Sequence, residues 1–232
     1  MAVDVSEYRP YPTCPRGESA AEFIPKSRSL PVLAKAADGC RGCSLYCNAT
    51  QAVFGRGPKS AMAMFVGEQP GDQEDLQGLP FVGPSGKLLD EALVAAGIDR
   101  DTVYVTNAVK HFKWQPRGKR RLHAKPTGRE IAACRPWLQR EIEIIHPPLI
   151  ICLGATAAQS LMGNKFRLTQ HRGEVLKSQW APALMATMHP SAVLRSPDAE
   201  AREQARKQFF EDLGIAGKTL RKLMQSPRRA AV

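Results

Sequence analysis

Short apolar runs alternate along this chain with stretches of helical period, and glycine- and proline-bearing turns separate them. Ala61 to Val66 is an apolar run that reads as a buried strand. It ends in Gly67-Glu68-Gln69-Pro70-Gly71, a turn-forming loop. A helix is predicted from about Ser85 to Ala96, stopped by Gly97. Thr102 to Val109 is β-branched and apolar, a second strand. Residues 110–126 carry Gly and Pro and show no period, so they are expected to form a long loop. Thr127 with Glu130 makes a capping-box pattern that opens a helix to about Ile145, kinked or divided at Pro136. Pro148 to Leu153 is a third strand, followed by a short helix from Ala155 to Met162. Glu174 to Leu176 and Ala183 to Met188 are further strand candidates, the second running into His189-Pro190-Ser191. Asp198 to Leu213 is an amphipathic helix predicted to stop at Gly214.

Strands alternating with helices predict a single α/β domain with a central, mostly parallel β-sheet flanked by helices. Ligands of such sheets sit at the carboxyl ends of the strands. The loops 67–75, 107–126 and 189–195 all leave predicted strand ends and are expected to converge on one site. The domain is placed at 31–214, between a loosely ordered lead-in at 1–30 and a basic C-terminal tail at 215–232. No apolar run reaches the roughly 18 residues that span a bilayer. The first residues carry Asp4, Glu7 and Arg9 without an apolar core, so no secretory leader and a cytoplasmic location are expected. A monomer is the default.

Charge changes the picture. The net charge is +11, but it is concentrated. Eight Lys/Arg and no acid lie between Lys110 and Arg129, and five more with no acid follow Leu213. The remainder holds 20 bases against 22 acids, close to neutral. Such concentration suggests a polyanion footprint, because phosphate neutralisation dominates nucleic-acid affinity. The plainer alternative is a solvated loop and a disordered tail.

Six cysteines stand at positions 14, 40, 43, 47, 134 and 152. Without a secretory leader, disulfides are not expected and metal ligation gains weight. Cys40-x2-Cys43 sets two thiols on one turn, and Cys134 and Cys152 would complete four ligands suited to an iron–sulfur cluster or to zinc. By spacing alone Cys47 competes for a place. Buried free thiols are the alternative, and the reading adopted for Cys14 and Cys47.

Taken in order, Cys40-x2-Cys43, Gly67-Glu68-Gln69-Pro70-Gly71, Leu79-Pro80-Phe81-Val82-Gly83-Pro84-Ser85-Gly86, Thr106-Asn107, Cys134, Cys152 and His189-Pro190-Ser191 resemble the iron–sulfur uracil-DNA glycosylases called family 4. The match spans about Gly39 to Leu213. Lys119-Arg120-Arg121-Leu122-His123 resembles the Lys-Arg-Arg-Ile-His insert of the UdgX subgroup, whose members become covalently attached to uracil-containing DNA through that histidine, and Gln69 fits the same subgroup.

The resemblance implies a [4Fe–4S] cluster on Cys40, Cys43, Cys134 and Cys152, and uracil-containing DNA as the partner. An already unpaired base costs least to extrude. It casts Asn107 as the uracil-reading amide, whose donor and acceptor meet N3–H and O4. Phe81 would stack on the flipped base, with Gln69 and Asp72 beside it. His189 would donate to uracil O2 as negative charge develops there. Leu194 is the candidate wedge in the emptied base stack, and Ser191, Arg195, Lys119, Arg120 and Arg121 are the candidate DNA contacts, with Arg120 or Arg121 an alternative lock for their own loop. His123 is the candidate nucleophile, and Glu68 its partner on the opposite ring nitrogen. An ordinary multiple-turnover glycosylase and a non-catalytic metal-bearing nucleic-acid binder remain as alternatives.

Overall fold

The computed structural model describes residues 5–11, 14 and 17–225. Parts of the expected lead-in (1–4, 12, 13, 15 and 16) and of the tail (226–232, with Arg228 and Arg229) lie outside the described residues. Five strands form one sheet in the order β2-β1-β5-β7-β6. They are β1 (Ala63–Gly67), β2 (Val103–Asn107), β5 (Leu149–Leu153), β6 (Val175–Leu176) and β7 (Ala183–Thr187). The first, second, fifth and seventh run parallel, and β6 closes the edge antiparallel. Every residue of the four parallel strands is buried, as expected of a sheet covered on both faces. The structure is therefore the single α/β domain that the sequence pattern predicts.

Side chains alternate across this sheet, so each face has its own core. Phe65, Val105, Ile151 and Met185 face α3 (Pro84–Ala96) and α8 (Ala199–Gln225), packing with Leu89, Leu93, Phe209 and Leu213. Met64, Val66, Ile150 and Leu184 face α4 (Gly128–Ile145) and α5 (Ala155–Met162), packing with Leu138, Ile142 and Ala157. Burying each such side chain contributes about 1.5–3 kcal/mol. A third cluster joins α1 (Leu30–Asp38), the segment 40–54 and the first half of α4 around Trp137.

Five features depart from the sequence reading. Residues 110–126 contain a β-hairpin, β3 (Trp114–Arg117) paired with β4 (Arg120–His123). Gly118, at φ +57, takes the left-handed first position of its two-residue turn, and Pro116 is tolerated because the strand is exposed and edge-like. Helix α8 does not stop at Gly214 but continues to Gln225, because Ala216, Gly217 and Leu220 extend its buried face. Helix α4 runs through Pro136 undivided. The described part of the lead-in packs on the body: Tyr8 lies against Trp114, and Asn48 exchanges two hydrogen bonds with the Arg9 backbone. Cys14 and Cys47 are joined by a disulfide, against the expectation of two free thiols. Among the described residues no helix is long and apolar enough to cross a membrane.

One buried carboxylate holds the carboxyl end of β2 to α4. Glu141, fully buried on α4, accepts from the Gly55 N–H (3.0 Å), Tyr104 Oη (2.9 Å), Thr106 Oγ1 (3.0 Å) and Lys110 Nζ (2.6 Å). Lys110 Nζ also donates to the Asn107 carbonyl at 2.9 Å. Glu141→Ala would strand the Lys110 ammonium in the core. Breaking such a pair from one side costs about 3–5 kcal/mol, so urea denaturation should show a loss of that size. A loss below about 1 kcal/mol would mean that water replaces the carboxylate.

Candidate functional site

The register Gly67↔Asn107 and Leu153↔Thr187 brings four strand ends level, and a cavity of about 360 Å³ opens above them. Asn107, Phe81, His189, Glu68 and His123 all line it. The three predicted loops thus converge. Asn107 is the last residue of β2 and is buried, with its backbone carbonyl held by Lys110. Among the described residues its side-chain amide has no hydrogen-bond partner, which leaves one donor and one acceptor for an occupant. The neighbouring strand carries Gly67 because a Cβ there would strike Asn107 Oδ1 and come within 2.9 Å of Phe81 Cζ. Phe81 adopts a left-handed backbone, φ 57, and its ring lies 6.1 Å from that of His189 at an interplanar angle of 24°. Such a backbone is costly for an aromatic residue and is kept only where surrounding structure imposes it.

His189 caps α7 (Pro190–Leu194). Its Nδ1 accepts the Ser191 N–H at 3.1 Å and lies 2.8 Å from Ser191 Oγ. With Nδ1 acting as acceptor, the neutral ring carries its proton on Nε2, free to donate. Burial pushes its pKa down to about 4, Glu68 opposing and Arg195 and His123 assisting, so the ring is neutral at pH 7.

His123 ends β4 at the rim of the cavity, half-exposed, with Nε2 3.4 Å from Glu68 Oε1. Burial raises the Glu68 pKa, but hydrogen bonds from His123 and Thr156 and the two nearby histidines outweigh it and hold the carboxyl below its ordinary value. Glu68 is therefore ionised beside the imidazole. Thr156 was not anticipated, since nothing local in the sequence marks the first turn of α5 as facing that loop.

Two expected site residues instead build the hairpin's foundation. Gln69, expected on the base, gives its Nε2 to the carbonyls of Lys113 (3.2 Å) and Ala124 (3.1 Å) and takes the Lys113 N–H on Oε1 (3.1 Å). Its side-chain amide is thus committed to the two strand ends and positions them, while the residue itself lines the cavity. Arg121, expected on DNA, has a side chain only 3% exposed, with Nε 2.7 Å from Asp72 Oδ1 and Nη1 2.6 Å from Asp75 Oδ2. It also packs over Phe112 and Trp114. Both its ion pairs are internal, so it locks the hairpin and does not reach phosphate. Asp72 lines the cavity as expected but spends one oxygen on Arg121. Lys119 and Arg120 are exposed at the hairpin turn, Ser191 and Arg195 line the cavity mouth, and Leu194 stands 38% exposed beside them.

The cysteines divide differently from the expected set of four. Cys40, Cys43 and Cys134 share one apolar cluster with Val109 and Trp137, and the Lys110 N–H donates to Cys134 Sγ at 3.3 Å. Cys152 lies in another core, on β5 among Met64, Tyr104 and Ala157. The fourfold grouping is therefore corrected to three. Among the described residues no three His, Cys, Asp or Glu side chains are grouped to hold a single metal ion. A multi-iron cluster spaces its ligands more widely than one ion does.

A parallel sheet with an aromatic–amide–histidine cavity over its strand ends and a basic rim defines a base-recognising α/β protein. The chain belongs to the uracil DNA glycosylase superfamily, whose family model matches residues 54–214. It is 38% identical over 174 residues to the type-4 uracil-DNA glycosylase of Thermotoga maritima, covering 75% of this chain and 87% of that one. To the type-4 uracil-DNA glycosylase of Archaeoglobus fulgidus it is 37% identical over 198 residues, 82% and 94% of the two chains. The type-4 enzyme of Sulfurisphaera tokodaii is 36% identical over 212 residues, 88% and 89%.

The depressed pKa of His189 has a measurable consequence. Between the ordinary 6.5 and about 4, the unfolded chain binds a proton at this residue that the folded chain does not. Stability contributed by the neutral ring is thus present above that window and lost as pH falls through it. His189→Asn should remove about one proton from the pH dependence of unfolding in that range, read from denaturation midpoints at pH 7, 6 and 5. An unchanged slope would show that His189 titrates normally.

Proposed function

We propose that this protein excises uracil from DNA and is left bonded, through His123, to C1′ of the sugar it has emptied. The observation that carries this reading is the pairing of His123 with an ionised Glu68 at the rim of a cavity whose floor presents an unpartnered Asn107 amide. In it, uracil enters flipped from the strand and stacks on Phe81. Asn107 offers an acceptor to N3–H and a donor to O4, a pattern cytosine cannot meet. Leu194 fills the gap left in the base stack, and Lys119, Arg120, Ser191 and Arg195 hold the backbone.

As the C1′–N1 bond breaks, its electron pair leaves with uracil, and the His189 Nε2–H stabilises the charge developing at O2. Positive charge gathers on the sugar, facing the Glu68 carboxylate. One ring nitrogen of His123 then bonds to C1′, while the proton on the other passes toward Glu68. The products are a uracil anion, protonated from solvent, and an N-linked imidazole. Held at the rim, the imidazole competes with bulk water through proximity and nucleophilicity. Because the new bond is itself a stable N-glycosidic link, the protein stops after one turnover.

Cys40, Cys43 and Cys134 are read as ligands to an iron–sulfur cluster. Three soft thiols in one apolar pocket, with a backbone N–H directed at one sulfur, suit that group. Bound there, the cluster would tie the 40–43 segment to α4. No step of the reaction runs through it.

Mixing the protein with a uracil-containing oligonucleotide should give a band that survives SDS, and peptide mass spectrometry should place the sugar on His123. His123→Ala should abolish that band. His123→Gly or His123→Ser, which admit water to C1′, should instead release uracil and leave alkali-labile sites. An undiminished covalent yield in His123→Ala would overturn the assignment, as would an adduct on Lys119 or Lys125. Alkali-labile sites without any shifted band in the parent protein would point to ordinary turnover.

A further inference from the structure

We propose that Glu74 is a positioning residue for base recognition, a single carboxylate that holds the Phe81 platform in place against the loop bearing Glu68. This rests on the stacking of a flipped uracil on Phe81 proposed above. Phe81 keeps a left-handed backbone at φ 57, so the loop that carries it must be held from both ends. Glu74 touches both. It lies on the short helix α2 (Asp72–Gln77), buried at the wall of the base cavity. Its main-chain carbonyl accepts the Gly78 N–H at 2.8 Å, where α2 ends and the loop begins. Its side-chain Oε1 accepts the Gly83 N–H at 2.8 Å, where the loop ends and α3 begins.

The second oxygen reaches the other loop. Oε2 accepts the Gly71 N–H at 3.1 Å, at the far end of the turn that holds Glu68 and Gln69. A carboxylate that only capped its own helix would need no more than this local bond. The bond to Gly83 reaches nine positions along the chain, so one group ties together two loops that otherwise meet only through α2. Both partners are glycine, and a Cβ at either would press on the carboxylate, 2.5 Å from Oε2 at Gly71 and 3.1 Å from Oε1 at Gly83. Gly86 closes the loop from its other side, since a Cβ there would strike the Phe81 carbonyl. Among the described residues no other side chain hydrogen-bonds to residues 79–83. Without Glu74 the strained backbone of Phe81 loses its side-chain tether, and the Gly83 N–H is left unpaired at the cavity wall.

Binding to two oligonucleotides of one sequence separates positioning from scaffolding. One carries a 2′-fluorinated deoxyuridine, which resists cleavage and keeps covalent capture out of the measurement; the other carries a tetrahydrofuran abasic site. Fluorescence anisotropy should show the parent protein preferring the uracil oligonucleotide. Glu74→Ala should cut that preference roughly tenfold, within the range that one base–aromatic stack is worth, and leave abasic affinity within about twofold. Glu74→Gln, which keeps an acceptor for one of the two N–H groups, should fall between. In a Phe81→Ala background Glu74→Ala should remove no further preference, because it acts through the ring. An intact preference in Glu74→Ala, or in Glu74→Gln if only that variant folds, would overturn the role. Equal loss on both oligonucleotides, or an additive loss in the double variant, would overturn it as well. Failure of both Glu74 variants to fold would do the same, by making the residue a requirement of the fold alone. A parent protein that binds the abasic site as well as uracil would instead sink the stacking on which the role depends.

Discussion

The Glu141 carboxylate fixes the geometry on which both working regions depend. Isolated in the core, it would be expensive, and four donors converge on it to offset that cost. Those donors come from the segment before β1, from β2 and from the turn that follows it, so one side chain of α4 sets their relative positions. Lys110 then carries the constraint in two directions. Its ammonium holds the carbonyl of Asn107, and its backbone N–H meets the sulfur of Cys134. The Asn107 amide and the group of three cysteines are thus two ends of a single short turn, anchored to the same carboxylate.

The hairpin depends on a second set of internal contacts. Gln69 bridges the residues flanking its two strands, Lys113 pairs with Glu130 at 2.8 Å, and Arg121 is held between Asp72 and Asp75. All these groups lie at the base. The turn, with Lys119 and Arg120, projects into solvent. A basic segment that would otherwise repel itself is thereby divided between charges neutralised inside the protein and charges left facing solvent.

Much of this was legible in the sequence, for physical reasons that can be named. The parallel strands are continuous apolar runs ended by glycine or a polar residue, and helices α3, α4 and α5 carry their own stop or cap signals. Asn107 and His189 stood out as polar side chains at the ends of apolar strand runs, and Phe81 only through the resemblance carried by Leu79-Pro80-Phe81-Val82-Gly83. The hairpin was missed because its strands are short, polar and interrupted by Pro116, so only tertiary contacts through Gln69 and Arg121 define it. Gly214 was taken as a stop because local propensity says nothing of the apolar face that continues beyond it. Arg121 and Gln69 were placed on the ligand because their ion pair and hydrogen bonds join residues some 44 to 55 positions apart. Cys152 was grouped with the other thiols by residue type and by the family resemblance, while the alternation of side chains across β5 turns it into a different core.

Gly67 has an implication for how such a pocket can change. The wall beside the Asn107 amide is bare backbone, and even one methyl group there would displace Asn107 and crowd Phe81. Size is therefore not a dimension along which this wall can drift by single steps. On the role proposed for Asn107, acceptance of another base would have to come from the hydrogen-bonding character at position 107, with its surroundings left as they are. The same lack of slack that sharpens discrimination confines innovation to chemistry.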